Sequence, residues 1–237
     1  MKKLGIIGAM TIEVETLKAH MIDKIVSTRA GMEFCEGKLS GLDAVVVQCG
    51  VGKVNAALCV QILCDCFAVT HVVNTGVAGS LSADLDIGDL VISKDAVYHD
   101  FDCSVINDSY RVGQVPGLPV WSFPADSVMM ELAMQSAEVV NPGHNCFGTV
   151  ASGDQFICNK AVKEQIIANT GAVCTEMEGA AIAHAAWRNQ VPFVVLRAIS
   201  DKADDSAEMD YPTFEAMAAE HCAKVTLTMA KRIKDAN

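Results

Sequence analysis

Short runs of consecutive apolar residues alternate along the chain with stretches whose apolar positions recur every three or four residues. The first kind reads as buried strands, the second as helices packed by one face. Strands are expected over 4–9, 32–39, 44–49, 69–74, 90–98, 147–152 and 193–199, with a short one at Val173. A helix is expected after the first strand, with Val14, Leu17 and Met21 at helical spacing. Others are expected over 54–66, 126–138, 162–168 and 178–188. A last helix is expected from about Thr213 to Ile233, its stripe formed by Phe214, Met217, Ala218, Cys222, Val225 and Met229.

Strand–helix alternation through residues 1–237 predicts a single α/β domain. It would have three layers, α/β/α, around a central mixed, mostly parallel sheet. No repeat, linker or low-complexity run interrupts it. In such sheets ligands bind beyond the carboxyl ends of the strands. The stretch from Asp100 to Pro124 is irregular and rich in glycine and proline, and a loop that long inside a domain is usually functional.

Composition narrows the function. Of the 237 residues 51% are hydrophobic and 20% charged, which excludes a disordered chain. The net charge of −11 argues against nucleic acid and anionic membrane partners. No window approaches the ~18 apolar residues of a membrane span, and the apolar run 4–10 is short for a signal-peptide core. Ten cysteines are present, and Cys49, Cys59, Cys66, Cys158 and Cys174 lie among apolar or small residues, where thiols act as small hydrophobes. A cytoplasmic protein with reduced thiols is expected.

Polar and glycine residues collect at the strand ends in four segments. Glu13 follows Gly8-Ala9-Met10 in the first turn of a helix, where a carboxylate complements the helix dipole. Asn74 to Ser80 (NTGVAGS) lets backbone approach a ligand, though it also fits a plain tight turn and is neither a Walker loop nor G-x-G-x-x-G. Ser152-Gly153-Asp154 leads to Phe156-Ile157, a base-stacking wall or simply core. Glu176-Met177-Glu178 sets two carboxylates at one helix start, where they repel unless something binds them. Arg197 to Asp201 (RAISD) ends the most apolar strand, with Asp201 either a site acid or a helix cap.

Together and in this order, these segments resemble the family of 5′-methylthioadenosine/S-adenosylhomocysteine nucleosidases over nearly the whole chain. Gly88-Asp89 and Tyr98-His99-Asp100 add to the resemblance. It implies a nucleoside phosphorylase-like fold, adenine nucleosides as substrates and hydrolysis of the bond between adenine and ribose. Asp201 would protonate the base at N7, oriented by Ser200, and Glu13 would activate the water. Glu178 would grip the ribose hydroxyls with Met177 against the sugar. Phe156 would stack on adenine, the Ile157 backbone would read its edge, and Gly79 would be a close-approach position. Arg197 would hold a carboxylate in place, and Met10 and Val51 would be apolar lining.

The resemblance further implies a homodimer in which the long loop lines the neighbour's pocket, with Cys103, Ile106 and Pro116 as candidates. Ile106, Val115, Leu118 and Trp121 are apolar groups that a monomer would leave exposed. Tyr211 takes the place of an aromatic that closes over the same pocket. Val77 departs from the family, where many members carry Ser. No metal or organic cofactor is implied, and His99 beside Asp100 reads as an orienting pair. The rivals are a phosphorylase using phosphate and a nucleoside-binding protein without catalysis. Phosphate needs Arg or backbone donors around it. The first strand end offers Glu13 and no Arg, which favours water.

Overall fold

A computed structural model describes residues 3–106 and 109–235. The elements run β1 (Lys3–Gly8), α1 (Thr11–His20), β2 (Met21–Arg29), β3 (Met32–Leu39), β4 (Leu42–Gln48), α2 (Lys53–Phe67), β5 (His71–Ser80) and β6 (Leu90–Tyr98). Then follow β7 (Phe123–Pro124), α3 (Ser127–Val140), β8 (Asn145–Ser152), α4 (Lys160–Thr170), β9 (Cys174–Glu176), α5 (Gly179–Arg188), β10 (Phe193–Asp201) and α6 (Ala207–Asp235).

The apolar runs are continuous because both faces of the central strands are covered. In β4, Ala44 and Val46 join one core while Val45 and Val47 join the other. In β10, Val194, Leu196 and Ala198 face the first core and Phe193, Val195 and Ile199 the second. Helices α1, α3 and α6 cover the first face; α2 and α5 cover the second. The three-layer expectation holds.

The sheet is mixed. Strands β4, β1, β5 and β10 are parallel neighbours, and β6, β8 and β9 form a second parallel set. The sets join antiparallel at β10–β6 and at β5–β9, so these five strands close on themselves. Hairpins β2–β3 and β3–β4 extend the other edge. Because β9 runs against β5, its carboxyl end meets those of β5 and β10 from the opposite direction, and the site forms there.

Strand β2 and helix α6 depart from the sequence pattern, and the short β7 pairs with β6 inside the stretch expected to be irregular. Met21 opens β2, not a further helical turn, and β2 escapes the pattern because it is an edge strand with Ile22, Ile25 and Val26 exposed. Helix α6 starts at Ala207, earlier than the expected Thr213, and holds Pro212 inside it. Ser206 anchors that early start through Asp204 and Asp210, and the extra turn carries Tyr211 to the site.

The long loop is also less exposed than its composition suggested. Leu118 is buried, and Val115 packs on the core beside it. Trp121 is partly buried, its ring NH donating to the Val112 carbonyl. Val105 and Ile106 alone of the described loop are large exposed apolar groups. All ten cysteines are free, but Cys66 is exposed and Cys158 half-buried, against the apolar reading of their neighbours.

Candidate active site

The strand ends line a cleft that opens to solvent and holds about 500 Å³ of empty space, the open part included. Met10 and Glu13 enter it after β1, Val51 before α2, and Val77 and Gly79 from β5. Phe156 follows β8, Met177 and Glu178 follow β9, Ser200 and Asp201 end β10, and Tyr211 comes from α6. Ile157 lines a smaller adjoining hollow with Phe156, Met177 and Asp201. Arg197 is buried behind the wall, and Cys103, Ile106 and Pro116 do not line the cleft of this chain.

Glu13 does what a first-turn carboxylate does, and more. Its Oε2 accepts from the Ala9 and Met10 amides at 2.6 and 3.0 Å, tying down the helix start. Its Oε1 accepts from the Val77 amide at 3.1 Å, across the sheet. That contact uses backbone only, so Val in place of Ser leaves it intact, and the Val77 side chain adds apolar wall. Burial raises the Glu13 pKa, opposed by Arg197 and the three amides.

Asp201 sits just past an irregularity in the β10–β5 register, opposite Gly79. Such bulges re-aim side chains. Its Oδ2 accepts from the Ser200 hydroxyl at 2.9 Å and its Oδ1 from the Ala203 amide at 2.8 Å. Burial raises its pKa, more than these two donors lower it. A carboxyl so placed keeps a proton to higher pH than an exposed Asp. A Cβ at Gly79 would lie 2.7 Å from Asp201 Oδ1, so close approach demands glycine there.

Glu178 opens α5. Its Oε1 accepts from the Gly52 amide at 2.8 Å, and burial, then repulsion from Glu176, pushes it up to about 8. Glu176 is the opposite case. Burial acts to raise it, but Arg197, the Ser152 hydroxyl and the Gly179 amide together hold it below the usual range. The two carboxylates of the Glu-Met-Glu segment are therefore separated into one ionised and one near neutrality. Arg197 supplies the counter-charge: it bonds Glu176 and, at 2.7 Å, Asn74 Oδ1, and lies 3.8 Å from Glu178.

The apolar rim is Phe156 and Tyr211, whose rings meet edge to face at 5.5 Å. The Tyr211 hydroxyl donates to Glu215 at 3.0 Å and reaches Met10 Sδ at 3.3 Å. Asp100 acts on the His99 ring through charge, while its hydrogen bonds go elsewhere. It accepts two hydrogen bonds from Lys53 Nζ, at 2.6 and 2.7 Å, and one from the Asp154 amide, and with Asp154 Oδ2 3.5 Å from the same Nζ, Lys53 ties α2 to the turn before Phe156. Lys53 and the roles of Asn74 and Glu176 are what sequence reasoning missed; the Glu-Met-Glu spacing was the signal for the last.

A protein-family model described as the phosphorylase superfamily matches residues 3–231. A 5′-methylthioadenosine/S-adenosylhomocysteine nucleosidase of Geobacillus thermodenitrificans is 39% identical over 96% of this chain and 95% of its own. The chain belongs to this nucleosidase family. A Neisseria meningitidis nucleosidase solved with methylthio-immucillin-A superposes with a TM-score of 0.94 at 34% identity, covering 98% of this chain and all of that one. A Helicobacter pylori futalosine hydrolase superposes at 0.92 with 32% identity, covering 98% of each chain. Nucleosidases of this family are N-glycosidase hydrolases, so the enzyme class implied by the resemblance stands, as does the nucleoside phosphorylase-like fold.

Proposed function

We propose that this protein hydrolyses the N-glycosidic bond of 5′-methylthioadenosine and S-adenosylhomocysteine, releasing adenine and the thioribose. The observation that carries it is the lining of the cleft. Among the described residues its ionisable groups are Glu13, Glu176, Glu178, Asp201 and Tyr211, with no Lys or Arg. No cation lines the cleft to hold phosphate and the Glu13 carboxylate faces the nucleophile's place, which suits water, while Arg197 behind the wall is engaged by Glu176 and Asn74.

In this reading Asp201 gives its proton to N7, so the base leaves neutral. The sugar gains oxocarbenium character, as in glycoside hydrolysis generally. Glu13, oriented by three amides, takes the proton of the attacking water. Glu178 receives the ribose hydroxyls with Met177 against the ring. Phe156 stacks on adenine, and the Ile157 backbone reads its edge from the adjoining hollow. Met10, Val51 and Tyr211 face the sulfur substituent. Methylthioadenosine in phosphate-free buffer tests this: adenine and free methylthioribose are expected, and release only on adding phosphate would overturn it.

We also propose that the whole chain works as one domain and as a homodimer. Val105 and Ile106 on the long loop, and Val51, Val54 and Leu58 beside and along α2, are exposed apolar groups that a second copy would cover. Cys103, Ile106 and Pro116 would then reach the neighbour's cleft. The free, largely buried thiols fit a reducing, cytoplasmic setting. No helix among the described residues is long and apolar enough to cross a membrane.

A further inference from the structure

Glu176 has no role in the chemistry outlined above, yet it is the most heavily bonded carboxylate of the site. Its Oε1 accepts from the Ser152 hydroxyl and, at 3.0 Å, from the Gly179 amide. Its Oε2 accepts from the amides of Glu178 and Gly179 at 3.0 and 2.8 Å, and from Arg197. These donors come from the end of β8, the start of α5 and β10. They leave Glu176 little capacity for a substrate, although part of it borders the cleft. Arg197, in turn, is fully buried and faces three carboxylates: Glu176 in contact, Glu178 at 3.8 Å, and Glu13. Arg197 and Glu13 both crowd Gly76, where a Cβ would collide with each.

We propose that Glu176 is a positioning residue for hydrolysis: it claims the Arg197 charge and pins the Glu178 backbone, so that Glu178 and Glu13 face the sugar without a committed cation. This rests on the hydrolytic reading above. One guanidinium cannot neutralise three buried carboxylates, and geometry decides which wins. Glu176 holds the contact distance and the amides of the α5 start. Glu178 and Glu13 receive only the longer-range remainder of that charge.

The surrounding groups leave this balance undisturbed near neutral pH. Burial pushes the Cys49 thiol, after β4, up to about 12 and the Cys222 thiol, on α6, up to about 11. Burial likewise raises Cys174 on β9 and Tyr211 on α6, so both stay neutral. His99, beyond β6, is pulled down by burial and is neutral as well. Burial raises Asp201 as well, and burial with Glu176 pushes Glu178 up to about 8, so near neutral pH the Arg197 charge is shared chiefly between Glu176 and Glu13.

Glu176→Gln removes the claim without changing side-chain size. Arg197 would then turn its charge on Glu13 and Glu178. An opposite charge at close range lowers a carboxyl pKa by about one unit or more. The kcat/KM profile for methylthioadenosine, measured alongside wild type, should therefore lose its acid limb about one pH unit lower or more, with kcat reduced. A folded Glu176→Gln enzyme whose acid limb has not moved would overturn the proposal, since a purely structural role predicts lower kcat at an unchanged profile. Glu176→Asp decides the matter if the Gln variant does not melt cooperatively. It keeps the charge but is too short to hold Arg197 and the α5 amides together, so kcat should fall at least about tenfold with little change in KM; wild-type kinetics would overturn the proposal. Wild type that releases no adenine strikes instead at the hydrolytic reading itself.

Discussion

Replacing Gly79 with Ala tests how tightly the proposed acid is held. Gly79 lies outside the left-handed region, so backbone conformation is no obstacle to Ala. Space is the obstacle. The new Cβ would fall 2.7 Å from Asp201 Oδ1 and 2.8 Å from the Ala203 Cβ. Ordinary contact is about 3.5 Å, so Asp201 and its neighbour must retreat by roughly 0.7–0.8 Å. Asp201 cannot do so freely, because the Ser200 hydroxyl and the Ala203 amide fix its two oxygens. A misplacement of about 1 Å at a reacting group costs on the order of 10²-fold in rate, so turnover should fall by about that factor. Overpacking of this kind costs about 1–3 kcal/mol of stability. In a chain of this size each kcal/mol lowers Tm by about 2–4 °C. Initial rates of adenine release at saturating methylthioadenosine, with a melting curve on the same sample, give both numbers. A folded Gly79→Ala enzyme with near-normal turnover would refute the placement of the acid.

Asp201→Asn and Glu13→Gln should each reduce turnover by about 10²–10⁴-fold while the protein stays folded, read from adenine release and a melting curve. Near-normal turnover in either would reduce that residue to a structural carboxylate. Glu178→Gln should raise Tm, and by more at alkaline than at acidic pH. The folded pKa of Glu178 is raised from 4.5 to about 8, so the stability tied to its protonated form is complete below 4.5 and is lost as pH rises through about 8. Melting curves across that window check the sign, and the same variant should bind ribose less well. Sedimentation at micromolar concentration should show a dimer that Val105→Asp with Ile106→Asp weakens; a fully active wild-type monomer would contradict it.

Much of this site is legible in the sequence. Strands such as β4 and β10 bury both faces, so they print as unbroken apolar runs, and the polar residues that end them stand out. That made Glu13, Glu178 and Asp201 visible. What stayed hidden depends on contacts between distant segments. Lys53 finds Asp100 across 47 positions, and Arg197 finds Asn74 across 123; no local pattern encodes either. The edge strand β2 has too few buried positions to alternate, and the start of α6 at Ala207 lies ahead of the apolar stripe that begins at Phe214. The closure of β5, β10, β6, β8 and β9 also lies beyond a linear pattern, since alternation of strands and helices is the same in open and closed sheets.

The identity of the attacking group is the central claim, and isotope labelling tests it most directly. The enzyme would turn over methylthioadenosine in heavy-oxygen water with millimolar phosphate present, and the sugar product would be weighed by mass spectrometry. Carboxylate walls around Glu13 and a guanidinium already engaged by Glu176 predict methylthioribose carrying one heavy oxygen, at a rate indifferent to phosphate. A sugar 1-phosphate as the main product, or a rate that rises with phosphate, would contradict the account.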